Sequence, residues 1–155
     1  MKQKDIEFLN NFCRAISKHK VSSEDGMVSV AFSGNCGIFA MCLVLFLEDT
    51  GFPFDDWKIG FMFDKIDSLD EVYDSDCEAD LNHVFLVLDG KYFDGNGEAD
   101  PSEWYGKLFL KDDSIDGIVE IIQNFTDISV TDSKLNKIMN AEWNKLNGDE
   151  IYPIL

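Results

Sequence analysis

Two side chains in this sequence carry the chemistry of a nucleophile and its base: the thiol of Cys36 and the imidazole of His83. Cys36 stands between glycines in Ser33-Gly34-Asn35-Cys36-Gly37, immediately before an apolar, helix-like run to Leu47. A thiol attacks as the thiolate, and a helix N-terminus together with an imidazole provides the positive surroundings that form needs. The first is given to Cys36 by its position, and His83 is placed to supply the second.

The stretch around His83 fixes its own geometry. Asp89-Gly90 between two apolar runs predicts a two-residue hairpin of the type I′ kind, because both central residues must take positive φ. Leu88 then faces Lys91, Val87 faces Tyr92, Leu86 faces Phe93 and Phe85 faces Asp94. Strand side chains alternate with a period of two, so His83 shares a face with Phe85, Val87, Tyr92 and Asp94. As diagonal neighbours at roughly 5.5 to 8 Å between backbone positions, an Asp94 carboxylate reaches an imidazole N–H and holds the ring in one tautomer. Nucleophile, base and orienter thus follow in the order Cys36, His83, Asp94, with Asn96 the next candidate for the third place.

Asn35-Cys36-Gly37, the strand opened by His83 and the run Tyr92-Phe93-Asp94 together resemble the papain-like cysteine peptidase superfamily in its broad sense. That superfamily includes transglutaminase-like, NlpC/P60-like and small bacterial and phage members, and the resemblance covers about residues 30–105. It implies a papain-like α+β fold with a Cys-bearing helix packed on a sheet, and a Cys36-His83-Asp94 catalytic triad. It also implies an oxyanion hole. The Gln that papain carries ahead of its Cys is missing from Ser29–Gly34, so Asn35 or Ser33 takes that part with the Cys36 N–H.

The whole chain of 155 residues fits one domain, 45% hydrophobic and 13% aromatic, a composition that folds. Its formal charge of −17, from 30 acidic against 13 basic residues, repels phosphate backbones and anionic lipid. Nucleic acid and membrane are therefore poor partners, and a basic protein is a favoured one. Acidic clusters at 55–56, 67–80, 94–100 and 112–116 read as a solvated surface or, more sharply, as mimicry of nucleic-acid charge.

The four cysteines, Cys13, Cys36, Cys42 and Cys77, have no metal-like or disulfide-framework spacing. Cys13 and Cys42 read as small buried hydrophobes, and Cys77 lies in an acidic context unsuited to a nucleophile. No metal or cofactor is expected. With no signal peptide and no long uncharged apolar run, the chain reads as cytoplasmic.

The elements that must position these residues follow from hydrophobic spacing. An amphipathic helix is predicted over residues 3–19, with His19 near its end capping or facing solvent. Residues 22–26 read as a loop, and 27–32 as a strand or an extended lead-in to the cysteine turn. The run from Cys36 to about Glu48 is apolar nearly all round, which marks a helix buried on most sides, Leu45 included, and Gly51 suits its left-handed end. Residues 57–63 read as a strand and 64–81 as an acidic loop or short helical turn. Gly95-Asn96-Gly97 is expected to turn the chain out of the sheet, and Asp100-Pro101 to start a helix. Trp104 and Tyr105 either cover the site side of the sheet, with Trp104 and Ser33 meeting substrate, or are plain core aromatics. Further helices are predicted over 114–125 and from Thr131 or Asp132 to Leu146.

The expectation is an α+β fold: the Cys-bearing helix on a small, mostly antiparallel sheet of 57–63, 83–88 and 91–94, with C-terminal helices closing the other side. The expected activity is thiol-dependent hydrolysis or acyl transfer on a peptide, amide or acyl substrate. The alternative is a non-catalytic acidic binding or inhibitory protein on the same scaffold.

Overall fold

A computed structural model describes residues 1–149 together with 151 and 152. It is an α+β structure with four α-helices, a five-stranded antiparallel sheet and a separate two-stranded hairpin. Helix α1 (Gln3–Ser17) buries Ile6, Phe8, Leu9, Phe12, Cys13 and Ile16 along one face, as its spacing predicts. The next residues are not a plain loop: β1 (Lys20–Ser23) and β2 (Gly26–Ser29) pair as a short hairpin that leads into the cysteine turn.

Helix α2 (Cys36–Thr50) is the centre of the molecule. Leu43, Val44 and Leu47 on it are fully buried, and Gly51 ends it in the left-handed conformation at φ 73°. Leu45 departs from expectation. It is 40% exposed, on an edge of the helix that no element among the described residues covers.

Strand β3 (Trp57–Asp64) pairs with β4 (Asp80–Leu88), and β4 pairs with β5 (Lys91–Asp94). The register of that hairpin is the predicted one, Leu86 to Phe93, Val87 to Tyr92 and Leu88 to Lys91, with Asp89 and Gly90 both at positive φ. The acidic stretch before β4 holds one 3-10 turn (Leu69–Tyr73). After β5 the chain does not leave the sheet: it folds back as β6 (Gly97–Ala99), an edge strand on β5. Asp100 does cap a turn, accepting from the Ser102 N–H at 2.9 Å, but the turn is a single 3-10 turn (Pro101–Glu103) rather than a helix. Strand β7 (Lys107–Lys111) then adds to the other side of β3, giving the order β6-β5-β4-β3-β7.

Helix α3 (Ile115–Phe125) starts at Ser114, whose hydroxyl accepts from the Gly117 N–H, and α4 (Asp132–Leu146) starts at Thr131, which caps Lys134 in the same way. Both pack against α2. The C-terminal helices therefore close over α2, on the side of the sheet that α2 occupies, and the opposite sheet face keeps a small cluster of its own. Met62, Phe85 and Val87 form that cluster, with Tyr92, Trp104 and Leu108 packed around them. Among the described residues no helix is long and apolar enough to cross a membrane.

Candidate active site

His83 and Asp94 meet. The imidazole Nε2 lies 3.0 Å from Asp94 Oδ2, and both side chains are largely buried, at 14% and 5% exposure. The hairpin turn brings them together by the register that places their side chains on one face. A bulge lies beside His83: Met62 pairs with His83 and Phe63 with Leu81, which leaves Asn82 as an extra residue in β4. Asn82 is put to use, its Nδ2 donating to the Tyr105 carbonyl at 3.0 Å.

Asp94 is held at its other oxygen. Oδ1 accepts from the Asn96 N–H at 2.8 Å, so the carboxylate bridges the ring and the turn after β5. Helix α1 braces that turn: Arg14 Nε donates to the Asn96 carbonyl at 2.9 Å, and Asn10 Oδ1 accepts from the Glu98 N–H at 2.6 Å. Neither Asn10 nor Arg14 was legible as a supporting residue, since over 80 positions separate them from the turn and no spacing rule connects them.

Cys36 is half-buried at the first position of α2 and adjoins the His83 ring. Burial acts to lower the imidazole pKa. The hydrogen bond to Asp94, and after it the neighbouring Cys36, outweigh burial and hold the ring at about 9, against an ordinary value of 6.5. The ring lies between a carboxylate and a thiol, and both favour its protonated form. Cys13 and Cys42 are buried. Burial drives the Cys13 thiol far up, with the nearby charge of Asp94 adding to the effect, and burial pushes Cys42 up to about 11.

Trp104 stands against the ring with centroids 4.5 Å apart at 64°, and Phe85 stacks on it at 6.1 Å. Trp104 therefore stands in edge-to-face contact with the His83 ring. Ser33 is exposed and borders a polar cleft of about 660 Å³ with Glu24, Asp25 and Asp127. The turn there is tight: Ser33 and Gly34 both have positive φ, and a Cβ on Gly34 would fall 2.3 Å from the Asp127 carbonyl oxygen.

Asn35 corrects the expectation of a side-chain oxyanion donor. It is completely buried, its Nδ2 donates to the Ser29 carbonyl (3.1 Å) and Ser129 Oγ (2.9 Å), and its Oδ1 accepts from the Ser129 N–H (2.8 Å). Both amide protons are spent on clamping the α3–α4 loop to the cysteine turn. Donors remain in the backbone. The Asn35 side chain does not cap α2, and the first N–H to bond back is that of Phe39, to the Asn35 carbonyl. The N–H groups of Cys36, Gly37 and Ile38 are the first-turn donors ahead of it.

His19 lies elsewhere, paired with Glu142 at 2.9 Å. Among the described residues no group of His, Cys, Asp and Glu side chains is gathered to hold a metal ion. No family model, no curated protein and no solved structure matches the chain.

Proposed function

We propose that this protein is a thiol-dependent hydrolase or acyltransferase on a papain-like scaffold, with Cys36 as nucleophile, His83 as acid and base, and Asp94 as the orienter. The observation that carries the reading is the His83 Nε2–Asp94 Oδ2 contact at 3.0 Å on a ring that also adjoins Cys36. With Nε2 engaged by the carboxylate, Nδ1 is the ring nitrogen left for the sulfur side.

In the proposed cycle the Cys36 thiolate attacks a carbonyl carbon, and the carbonyl π electrons move onto oxygen beside the Cys36 N–H. As the tetrahedral adduct collapses, the imidazolium gives its proton to the departing amine or alcohol and an acyl thioester remains. The neutral imidazole then takes a proton from water or an acceptor nucleophile. That nucleophile displaces the sulfur and restores the thiolate–imidazolium pair. Asp94 keeps the ring in one orientation throughout, and Trp104 walls one side of it.

Site-resolved alkylation tests the reading. With iodoacetamide at about pH 7 followed by peptide mass spectrometry, Cys36 is expected to react much faster than Cys13, Cys42 or Cys77. Turnover of p-nitrophenyl esters or peptide amides should vanish in Cys36→Ser. Slow, equal labelling of all four thiols would overturn the assignment.

A further inference from the structure

A helix that is apolar nearly all round is normally enclosed on all sides. Along one edge of α2, Leu45 is exposed and Ile38 half-buried, while Met41 between them is buried. Ile38, Met41 and Leu45 lie three and four residues apart on it, and they floor a groove of about 610 Å³ whose walls are α3 and the start of α4. Ile115 and Val119 form the α3 wall, and Ile128 lies at the loop between the walls. Leu45, Ile115 and Ile128 are 40%, 46% and 37% exposed, so three of the large apolar side chains left in solvent converge on one place.

The shape and charge of the groove select what covers it. From Ile38 to Asp49 the floor runs about 17 Å, the length of three turns of helix. Asp49 and Asp132 stand at its rim, and its described lining holds no Lys or Arg. A second copy of this chain would bring a second charge of −17 and the same acidic rim against the first. A fatty acid would bring its carboxylate to that rim.

We propose that the groove between α2, α3 and α4 docks a three-turn amphipathic helix of a partner protein, with apolar residues on one face and Lys or Arg on its flanks. This is the helix-in-groove mode, in which side chains at i, i+3, i+4 and i+7 fill the groove and flanking charges set the partner. The surface stands apart from the Cys36–His83–Asp94 reading and holds whether or not that site turns over a substrate.

The test uses the full chain and a fluorescein-labelled peptide of about 14 residues, Leu on one helical face and Lys elsewhere, followed by fluorescence anisotropy and two-dimensional NMR. Two control peptides accompany it: one with the same residues scrambled so that no apolar face forms, and one with Glu replacing Lys. The expected result is binding of the Leu/Lys helix alone, with shifts at Ile38, Leu45, Ile115 and Ile128. Leu45→Lys and Ile115→Lys, both at exposed positions, should each weaken binding by roughly tenfold or more. Asp49→Asn with Asp132→Asn should weaken it and flatten its salt dependence while leaving the apolar floor intact. Equal binding of the scrambled peptide, shifts confined to the acidic loop at 64–80, or preference for the Glu peptide would overturn the proposal. So would a concentration-dependent dimer abolished by Leu45→Lys, which would make the occupant a second copy, or tight binding of oleate at the same residues.

Discussion

Replacing Asp94 by Asn removes the influence that most raises the His83 pKa and leaves burial, which lowers it, in place. The pKa of about 9 stands about 2.5 units above the ordinary 6.5, which corresponds to roughly 3 kcal/mol of preference for the charged ring in the folded state. A His whose folded pKa is raised contributes that stability in full below its unfolded pKa, and loses it as pH rises through the folded value. The wild type should therefore lose stability progressively from about pH 6.5 towards 9. Above pH 9 the buried thiols begin to act in the same direction, because Cys13 and Cys42 are raised and their unfolded forms ionise first, so the informative window is pH 6 to about 8.5. Urea denaturation across that window, with NMR titration of the imidazole Cε1–H, reads both sides of the linkage. In Asp94→Asn the His83 midpoint should fall by more than about one unit, and the pH dependence of stability should flatten. Cys36 alkylation near neutral pH should slow in parallel. Identical midpoints near 6.5 in both proteins would refute the pairing as the source of the shift and reduce Asp94 to a buried brace for the Asn96 turn.

Other expectations concern the scaffold. Leu43→Ala, at a fully buried position on α2, should cost about 2 to 5 kcal/mol in urea denaturation, whereas Leu45→Ala should cost well under half of that, since the side chain is 40% exposed. Equal losses would mean that the groove edge is closed in solution. Asn35→Ala should destabilise by about 1 to 3 kcal/mol, because it leaves the Ser29 carbonyl and the Ser129 amide and hydroxyl without their partner. A variant of wild-type stability that lost only turnover would return Asn35 to the oxyanion role. Gly60→Ala would set a Cβ 2.2 Å from the Phe85 ring, which packs against both His83 and Trp104, so it should shift the near-ultraviolet circular dichroism of Trp104 and cost roughly 1 to 3 kcal/mol. An unchanged spectrum would place the Phe85 ring elsewhere.

The His83–Asp94 pair was legible because one turn determined it. Asp89-Gly90 dictates a two-residue loop, the loop dictates the register, and a period of two puts both side chains on one face. The helix starts at Ser114 and Thr131 were legible for a similar reason, since a capping side chain and the N–H it accepts from lie within three residues of each other. The missed strands had no such local rule. Residues 20–23, 97–99 and 107–111 are short, and their pairing is decided by what lies beside them. Gly97–Ala99 in particular becomes a strand by its fit to β5, while Asn10 and Arg14 of α1 hold the approach to it.

The misplacement of Asn35 and of Leu45 has a shared physical origin. Adjacency along the chain says nothing of direction at a helix start, where successive side chains fan out by about 100°. Cys36 turns towards His83, and Asn35 turns into the α3–α4 loop, so the neighbour of the thiol became the anchor of its turn. Leu45 shows the same limit at the scale of a whole helix. An apolar residue at nearly every position of α2 marks the helix as central but leaves no polar face to show which edge meets solvent. Helix α3 and the start of α4 line the groove over Ile38, Met41 and Leu45, and Leu45 is the exposed one of the three. Leu45, which defeated the burial expectation, lies in the floor of the proposed docking groove, where an exposed large apolar side chain is the kind of feature that marks a contact surface.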